Sequence, residues 1–462
     1  MLDEPVTVRT ETDDDDAYAL NAATLAAILA AVEGKSHDQL VLLLEPLHAA
    51  DIADLLEQID RTDRRNLIEV WGQAIDGDVL SELSEGVRNE ILTELPDHIL
   101  AAAVQDLDSD EIVSLVEDLE EDQQGKLLDA LDDAERVAVL QSLQYPEDTA
   151  GRLMQRELVM APTHWNVGNI IDFMRGKDDL PATFYDVIIV DPKLHPIGTV
   201  HLGRIMASGR DTLLSALMDE NFHPIPVEQS QEDVAYAFNQ YHMVSAPVVD
   251  DEGRLVGVIT IDDAMEVLED ETEKDMKLLA GLGEEELSDH FWEIARARFP
   301  WLAVNICTAL ISSTVISFFA STIETIVALA ILMPIVASLG GNAGTQTLTV
   351  AVRALATRDL TDANLWRVVR REASVGLFNG AVFGLLIGIV GYAWFGTPLL
   401  GLVLWCAMLM NMSVAALAGI FIPIILDRRG VDPALASSVF VTMCTDVIGF
   451  LAFLGLATWI LL

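Results

Sequence analysis

The run PIVASLGGNAGTQTLTV, residues 334–350, closes an apolar stretch from 323 that holds one charged residue, Glu324. About 20 apolar residues suffice to cross hydrocarbon as a helix, so this stretch is long enough to span a membrane. Its interior is unusual for a span. Pro334 removes a backbone donor, and Gly340, Gly341 and Gly344 loosen the helix, which predicts a break that exposes carbonyl oxygens at membrane depth. Asn342 and Gln346 add amide oxygens one turn apart. Packing of neighbouring helices on the glycines, with asparagine as interhelical glue, is the competing reading.

Four more apolar stretches flank it, at about 300–320, 373–395, 399–426 and 434–461. Lysine and arginine collect on the cytoplasmic side of membrane proteins. With Arg296 and Arg298 inside, five spans place Arg353, Arg358, Arg367, Arg370, Arg371, Arg428 and Arg429 inside as well. The connections 320–323 and 392–399 carry no base. The expected topology is five spans in the cytoplasmic (inner) membrane, with residues 1–299 cytoplasmic and the C-terminus outside. The first 20 residues are acidic and show no secretory signal.

Asp446 lies in the middle of the last stretch, in VTMCTDVIGFLAF (441–453), and no lysine or arginine sits at comparable depth. A carboxylate in hydrocarbon without a basic partner is either protonated or faces a cation. Ser437, Ser438, Thr442 and Thr445 surround it, and each hydroxyl can equally bond back to its own helix. With Asn379 and Asn411 in the third and fourth spans, the donors are oxygens alone. Such a set suits Mg²⁺, Ca²⁺ or Mn²⁺ over softer metals, and one carboxylate suits a largely hydrated Mg²⁺. A symmetric dimer would bring two copies of Asp446 to its axis.

The chain has 462 residues and a formal charge of −46. From Pro300 onward seven acids balance seven bases, so the whole charge belongs to residues 1–299. A domain that acidic repels nucleic acid and attracts cations; a solvated, salt-adapted surface is the plain alternative. The three cysteines all lie in the apolar half, which excludes a thiolate site or disulfide framework before it.

Residues 1–17 read as a disordered acidic tail. Over 18–144, as in PLHAADIADLLEQI (46–59) and DSDEIVSLVEDLEEDQQGKLLDAL (108–131), apolar residues recur at three and four. The short, loosely similar units predict a helical superhelix. Residues 145–268 alternate strands and helices. APVVDDEGRLVGVITIDDAMEVL (246–268) reads as strand, turn, strand and helix, and FYDVIIVDPKLHPIGTVHLGRIM (184–206) is a weaker copy about 62 residues earlier. The pair resembles tandem cystathionine-β-synthase (CBS) domains, which regulate and do not catalyse. Residues 264–299 predict a long polar helix, of which 269–299 would connect the CBS pair to the first span. No phosphate loop, nucleophile–base pair or histidine metal spacing points to an enzyme.

Together these parts resemble the MgtE family of magnesium channels and transporters. The resemblance rests on Pro334 with GGNAGTQ (340–346), RALATRDL (353–360), GVDPALAS (430–437), TDVIGF (445–450) and the order of domains. It implies a multidomain membrane protein with an all-α superhelical N-domain, α/β tandem CBS domains, a connecting helix and a five-helix α transmembrane domain. It implies a homodimer in the lipid bilayer, not an enzyme, with a pore at the dimer axis. Asp446 would bind hydrated Mg²⁺ there with the carbonyl of Thr442, beside Asn342, Gly341, Gly344 and Gln346. Regulatory Mg²⁺ would bind Asp78, Asp110, Glu232, Asp262, Asp263, Glu271 and Asp275 and close the gate. His242 and Lys274 depart from the acidic residues expected at their places, with Glu273 beside the second. ATP would contact Thr260 and Asp263. A broader Mn²⁺/Co²⁺ transporter and a membrane-anchored acidic receptor are the alternatives from the residues alone.

Overall fold

The computed structural model describes residues 21–72, 75–117, 119, 121–177, 180–181, 183–282, 291–435 and 437–462. The expected acidic tail at 1–17 lies outside them, as does 283–290 of the expected connecting helix. The chain divides after Leu268 into two compact units.

The first unit opens with ten helices: α1 (Ala22–Glu33), α2 (His37–Leu44), α3 (Ala49–Gln58), α4 (Arg61–Trp71), α5 (Gly77–Ser81), α6 (Glu85–Glu94), α7 (Asp97–Ala103), α8 (Ser109–Glu117), α9 (Glu121–Ala130) and α10 (Asp133–Ser142). One leucine- and isoleucine-rich core runs through all of them. The repeat suggested by the sequence acquires a period here. Buried Arg64 donates from Nε to the Leu56 carbonyl (2.7 Å), from Nη2 to that of Ile59 (3.3 Å) and from Nη1 to Glu90 (2.8 Å). Twenty-four positions later Arg88 repeats the pattern, with Nη2 on the Leu83 carbonyl (2.6 Å) and Nη1 on Ser114 Oγ (2.9 Å). Each guanidinium satisfies the orphaned carbonyls of one helix end and reaches a helix 26 residues ahead.

Two sandwiches of like build follow. Helix α11 (Ala150–Leu153) packs on the second sandwich, where the Ala150 and Gly151 amides donate to the Gln229 (2.7 Å) and Val227 (3.0 Å) carbonyls, while α12 (Val167–Gly176) and α13 (Leu202–Ala207) accompany β1 (Met160–Pro162), β2 (Asp186–Val190) and β3 (Pro196–His201). Helix α14 (Gln231–Tyr241) accompanies β4 (Ile225–Pro226), β5 (Ser245–Val249) and β6 (Leu255–Thr260). Each sheet pairs its first two strands parallel and its last two antiparallel, with a register shift at the same place, Ile189/Val190 and Val248/Val249. The true repeat is therefore 59 residues and not 62; Ser245 Oγ even donates to its own counterpart, Asp186 Oδ2, at 2.7 Å.

Helix α15 (Ile261–Leu279) leaves the second sandwich. It does not run on to 299. Gly281 adopts φ +75°, and the Leu282 amide returns to the Lys277 carbonyl at 2.9 Å, a left-handed cap that stops the helix.

The second unit holds α16 (Phe291–Ser317), α17 (Ala320–Thr325), α18 (Ala328–Ala356), α19 (Leu365–Phe395), α20 (Pro398–Asp427) and α21 (Ser437–Leu461). Five of these are long and apolar enough to cross a membrane; α16, α18, α19 and α20 pass a predicted limit at one end or both, while α21 lies within the predicted 434–461. Helix α19 starts at Leu365 and so takes in Arg367, Arg370 and Arg371, while the short loop expected at 320–323 is part of the short helix α17.

The predicted break in the second span is absent. Helix α18 continues through Pro334 and all three glycines. In hydrocarbon every unpaired backbone group is costly, and the glycines serve packing instead. A Cβ on Gly340 would come 2.1 Å from Asn411 Nδ2, and one on Gly344 would come 2.5 Å from Val441 Cγ1. Asn411, fully buried on α20, donates to the Val336 carbonyl at 2.9 Å and lies between Gly340 and Gly449. It is the glue of the competing reading.

Helix α20 is the central element, with 44% of its most apolar window buried against 6% for α16. It meets α19 along Gly376, Gly380, Gly384 and Gly388, a glycine at every fourth residue. A Cβ at these positions would strike α20 backbone: Met412 O at 2.8 Å, Leu409 Cα at 2.9 Å, Trp405 O at 2.9 Å and Gly401 O at 2.7 Å. Small residues on such a stripe let backbones approach where no hydrophobic effect drives association. Because the obstacle is backbone, Gly388→Val should destabilise the helix pair by about 1–3 kcal/mol, read as a lowered thermal transition in detergent. Gly396→Ala, beyond the stripe, tests a different cost, since its φ is +67°.

Candidate functional site

Two groups of polar side chains stand out, one in each unit. In the first unit α8 begins at the tight turn Asp108-Ser109-Asp110-Glu111. The Asp108 amide donates to Glu111 Oε2 at 2.9 Å, half of a capping box. Ser109 donates through its amide (3.2 Å) and Oγ (2.8 Å) to Glu157 Oε2, and the Arg156 amide returns to Ser109 Oγ at 2.9 Å. Arg152 pairs with Glu117. These contacts fasten α8 to the start of the CBS pair and bring its acids near the first turn of α15.

The result is a gathering of carboxylates. Burial pushes Asp108 up to about 6, helped by Glu157, Asp262 and Asp78. Burial pushes Asp110 well above the carboxylate range, with Asp263, Glu111 and Asp108 adding to it. Glu111 is raised chiefly by burial. Asp263 rises to about 6 through burial, although it accepts the Thr260 amide (3.1 Å) and Oγ1 (2.6 Å). One oxygen of Asp110, Oδ1, is buried without a hydrogen-bond partner. Of the residues expected as sensors, Asp78, Asp110, Asp262 and Asp263 converge here. Glu232 opens α14 and is not among the charges acting on these carboxyls. Glu271 and Asp275 lie beyond Leu268 on α15, where Lys274 Nζ stands 3.8 Å from Glu271. The reading of residue types missed Asp108, Glu111 and Glu157; three acids in four residues at a helix start was the available signal.

Among the described residues no three acidic, histidine or cysteine side chains converge closely enough to chelate one ion. A hydrated divalent ion, which meets carboxylates through its own waters, suits that spacing and the unpaired Asp110 oxygen. Of the two expected nucleotide contacts only Thr260 lines a cleft, shared with Asp186 and about 10 Å³ in volume; Asp263 is not among its lining residues.

In the second unit Asn342 and Gln346 project from α18 on an exposed face, one turn apart, and Gly341 beside them has open space where a Cβ would be. Thr442 is exposed and Asp446 half-buried, one turn apart on α21. Among the described residues no hydrogen bond or ion pair reaches the Asp446 carboxylate. Two expectations change. Gly344 is buried in the seam against Val441, off the open face. The Thr442 carbonyl already accepts Thr445 Oγ1 at 2.9 Å, because α21 stays regular there.

Carboxyls raised in the folded state bind protons that the unfolded chain has lost. Their contribution is therefore complete below about pH 4 and disappears as pH rises through about 6. Without divalent cations the first unit should lose thermal stability over that window. Added Mg²⁺ should restore more of it above pH 6 than below, and Asp110→Asn should flatten the profile in a melting series.

The sequence matches three family profiles: MgtE, described as a divalent cation transporter, over residues 333–456; the MgtE intracellular N domain over 47–148; and the CBS domain over 214–270. The magnesium transporter MgtE of Enterococcus faecalis is 35% identical over 320 residues, 69% of this chain and 71% of that protein. That of Thermus thermophilus is 35% identical over 325 residues, again 69% and 71%. A solved cytosolic domain of the Mg²⁺ channel MgtE in complex with ATP aligns at 28% identity and TM-score 0.49, over 53% of this chain and 99% of that one. The chain belongs to the MgtE family of divalent cation transporters.

Proposed function

We propose that this protein carries Mg²⁺ across the cytoplasmic membrane through a pore at the axis of a homodimer, and that Mg²⁺ bound at its acidic first unit closes that pore. Its family are transporters and channels, not enzymes. The observation that carries the reading is Asp446, an acid in an apolar helix with no basic partner among the described residues. A dimer axis beside α18 and α21 would collect two such carboxylates with the amides of Asn342 and Gln346. Mg²⁺ releases its inner waters reluctantly, so carboxylate and amide oxygens that accept from those waters would hold the hydrated ion.

Gating follows from repulsion. Asp108, Asp110, Glu111, Asp262 and Asp263 oppose the closure of the helices that carry them while no ion neutralises them. A ligand that binds only the compact arrangement shifts the population toward it. The nine arginines of the second unit, from Arg296 to Arg429, support an orientation with the first unit and the N-terminus in the cytoplasm. ATP at the CBS pair is a finer part of the proposal and requires the cleft at Thr260 to widen.

Asp446→Ala should cut Mg²⁺ flux into liposomes at least about tenfold while the purified protein keeps its elution volume. Unchanged flux refutes the pore assignment, and the same assay with Mn²⁺, Co²⁺ and Ca²⁺ fixes selectivity. Raising Mg²⁺ should protect the first unit from protease, and the double change Asp110→Asn with Asp263→Asn should remove most of that dependence. Equal protection in wild type and variant would sink the sensor.

A further inference from the structure

The CBS pair contains two turns at equivalent positions, Asp191–His195 between β2 and β3 and Asp250–Arg254 between β5 and β6. Each is tied by its first residue. Asp191 Oδ1 accepts the amides of Lys193 (2.8 Å) and His195 (2.9 Å), and Asp250 Oδ1 accepts those of Glu252 (3.0 Å) and Arg254 (2.9 Å). The second oxygen takes the fifth side chain. Arg254 Nε donates to Asp250 Oδ2 at 2.8 Å, and His195 Nδ1 lies 3.0 Å from Asp191 Oδ2. One turn uses a permanent cation where its twin uses a titratable one.

The turns also meet each other. The Leu255 amide donates to the Leu194 carbonyl at 2.9 Å, and His195 Nε2 faces the Glu252 carbonyl at 3.2 Å. Gly253, at φ +78°, lies under the ring, with 3.6 Å between an ideal Cβ and His195 Cδ2. A neutral imidazole has one N–H and one lone pair. Here both nitrogens face acceptors, so only the imidazolium donates to both. The charged groups around it are Asp191 and Lys193 on its own turn and Asp250, Asp251, Glu252 and Arg254 on the other. Arg254 already holds the Glu252 carboxylate (3.0 Å) and Asp250 (2.8 Å), so Asp191 is the counter-ion. The amide and ring of His195 hold Asp191 below the usual carboxylate range.

We propose that His195 is a proton-operated latch between the two halves of the CBS pair. The imidazolium joins the turns. Loss of its proton sets a lone pair against either the Glu252 carbonyl or the Asp191 carboxylate and loosens the junction. The latch is closed while the imidazole carries both protons and opens when one of them is lost.

Hydrogen exchange read by mass spectrometry on the full-length protein tests this at pH about 6 and about 8, with Mg²⁺ near 10 mM to keep the acidic cluster neutralised. After correction for intrinsic rates, protection of a peptide spanning residues 250–256 should fall about threefold or more in the wild type at the higher pH. His195→Arg, which copies the second turn, should hold the same protection at both. His195→Gln should be poorly protected at both. Constant protection in the wild type, or an equal fall in His195→Arg, overturns the latch. Protection of His195→Gln equal to wild type at the lower pH overturns it too.

Discussion

The repulsion among Asp108, just before α8, Asp110 and Glu111 in its first turn, and Asp262 and Asp263 on α15 works against the contacts that hold the same elements together. Ser109, Glu157 and Arg156 fix α8 by hydrogen bonds, and Arg152 grips Glu117. The acids are thus kept close although their charges favour separation, and burial adds to the cost of ionising them. The architecture of the first unit supports this arrangement. The stacked helices give α8 a rigid base, and the second sandwich ends by launching α15 from Thr260, whose amide and hydroxyl cap Asp263. Gathered and buried in this way, these carboxyls favour their protonated form.

The second unit solves the opposite problem. It carries few charges and has no water to drive its helices together. Contact comes from shape: the glycine stripe of α19 on the backbone of α20, and Asn411 set between two glycines. With α20 occupied by this packing, the polar side chains of α18 and α21 are left on a face of their own. Among the described residues Asp446 has no partner of opposite charge there, so its carboxyl is either protonated or meets a cation from outside the chain.

Much of this was legible in the sequence. Span number, the acidic half, the alternating pattern of the CBS pair and Asp446 all follow from hydropathy and charge. The break at 340–346 was misread because glycine in a span reports either a loosened helix or a close neighbour, and sequence does not show the neighbour. Asn411 and Gly449 decide between the two, and they lie 71 and 109 residues from Gly340. The stop at Gly281 has a signal in the sequence, a glycine just past the last apolar positions of the helix, which commonly marks a left-handed cap. Asp108 and Glu157 belong to one site only because a turn and a linker meet in space. The stripe at 376, 380, 384 and 388 was present in the spacing and needed only to be counted.

The arginine device of the N-terminal helices has a consequence for how such a chain can change. Arg64 and Arg88 each bond the carbonyl five residues back through Nη2 and a side chain 26 residues ahead through Nη1, Glu90 for the first and Ser114 for the second. The two sockets thus share their spacing, although one presents a carboxylate and the other a hydroxyl. A block of 24 residues could be duplicated or excised at this seam and the remaining helices would still find their partners. The layer that carries the acids can in this way grow longer or shorter over evolutionary time without redesign of the parts at either end.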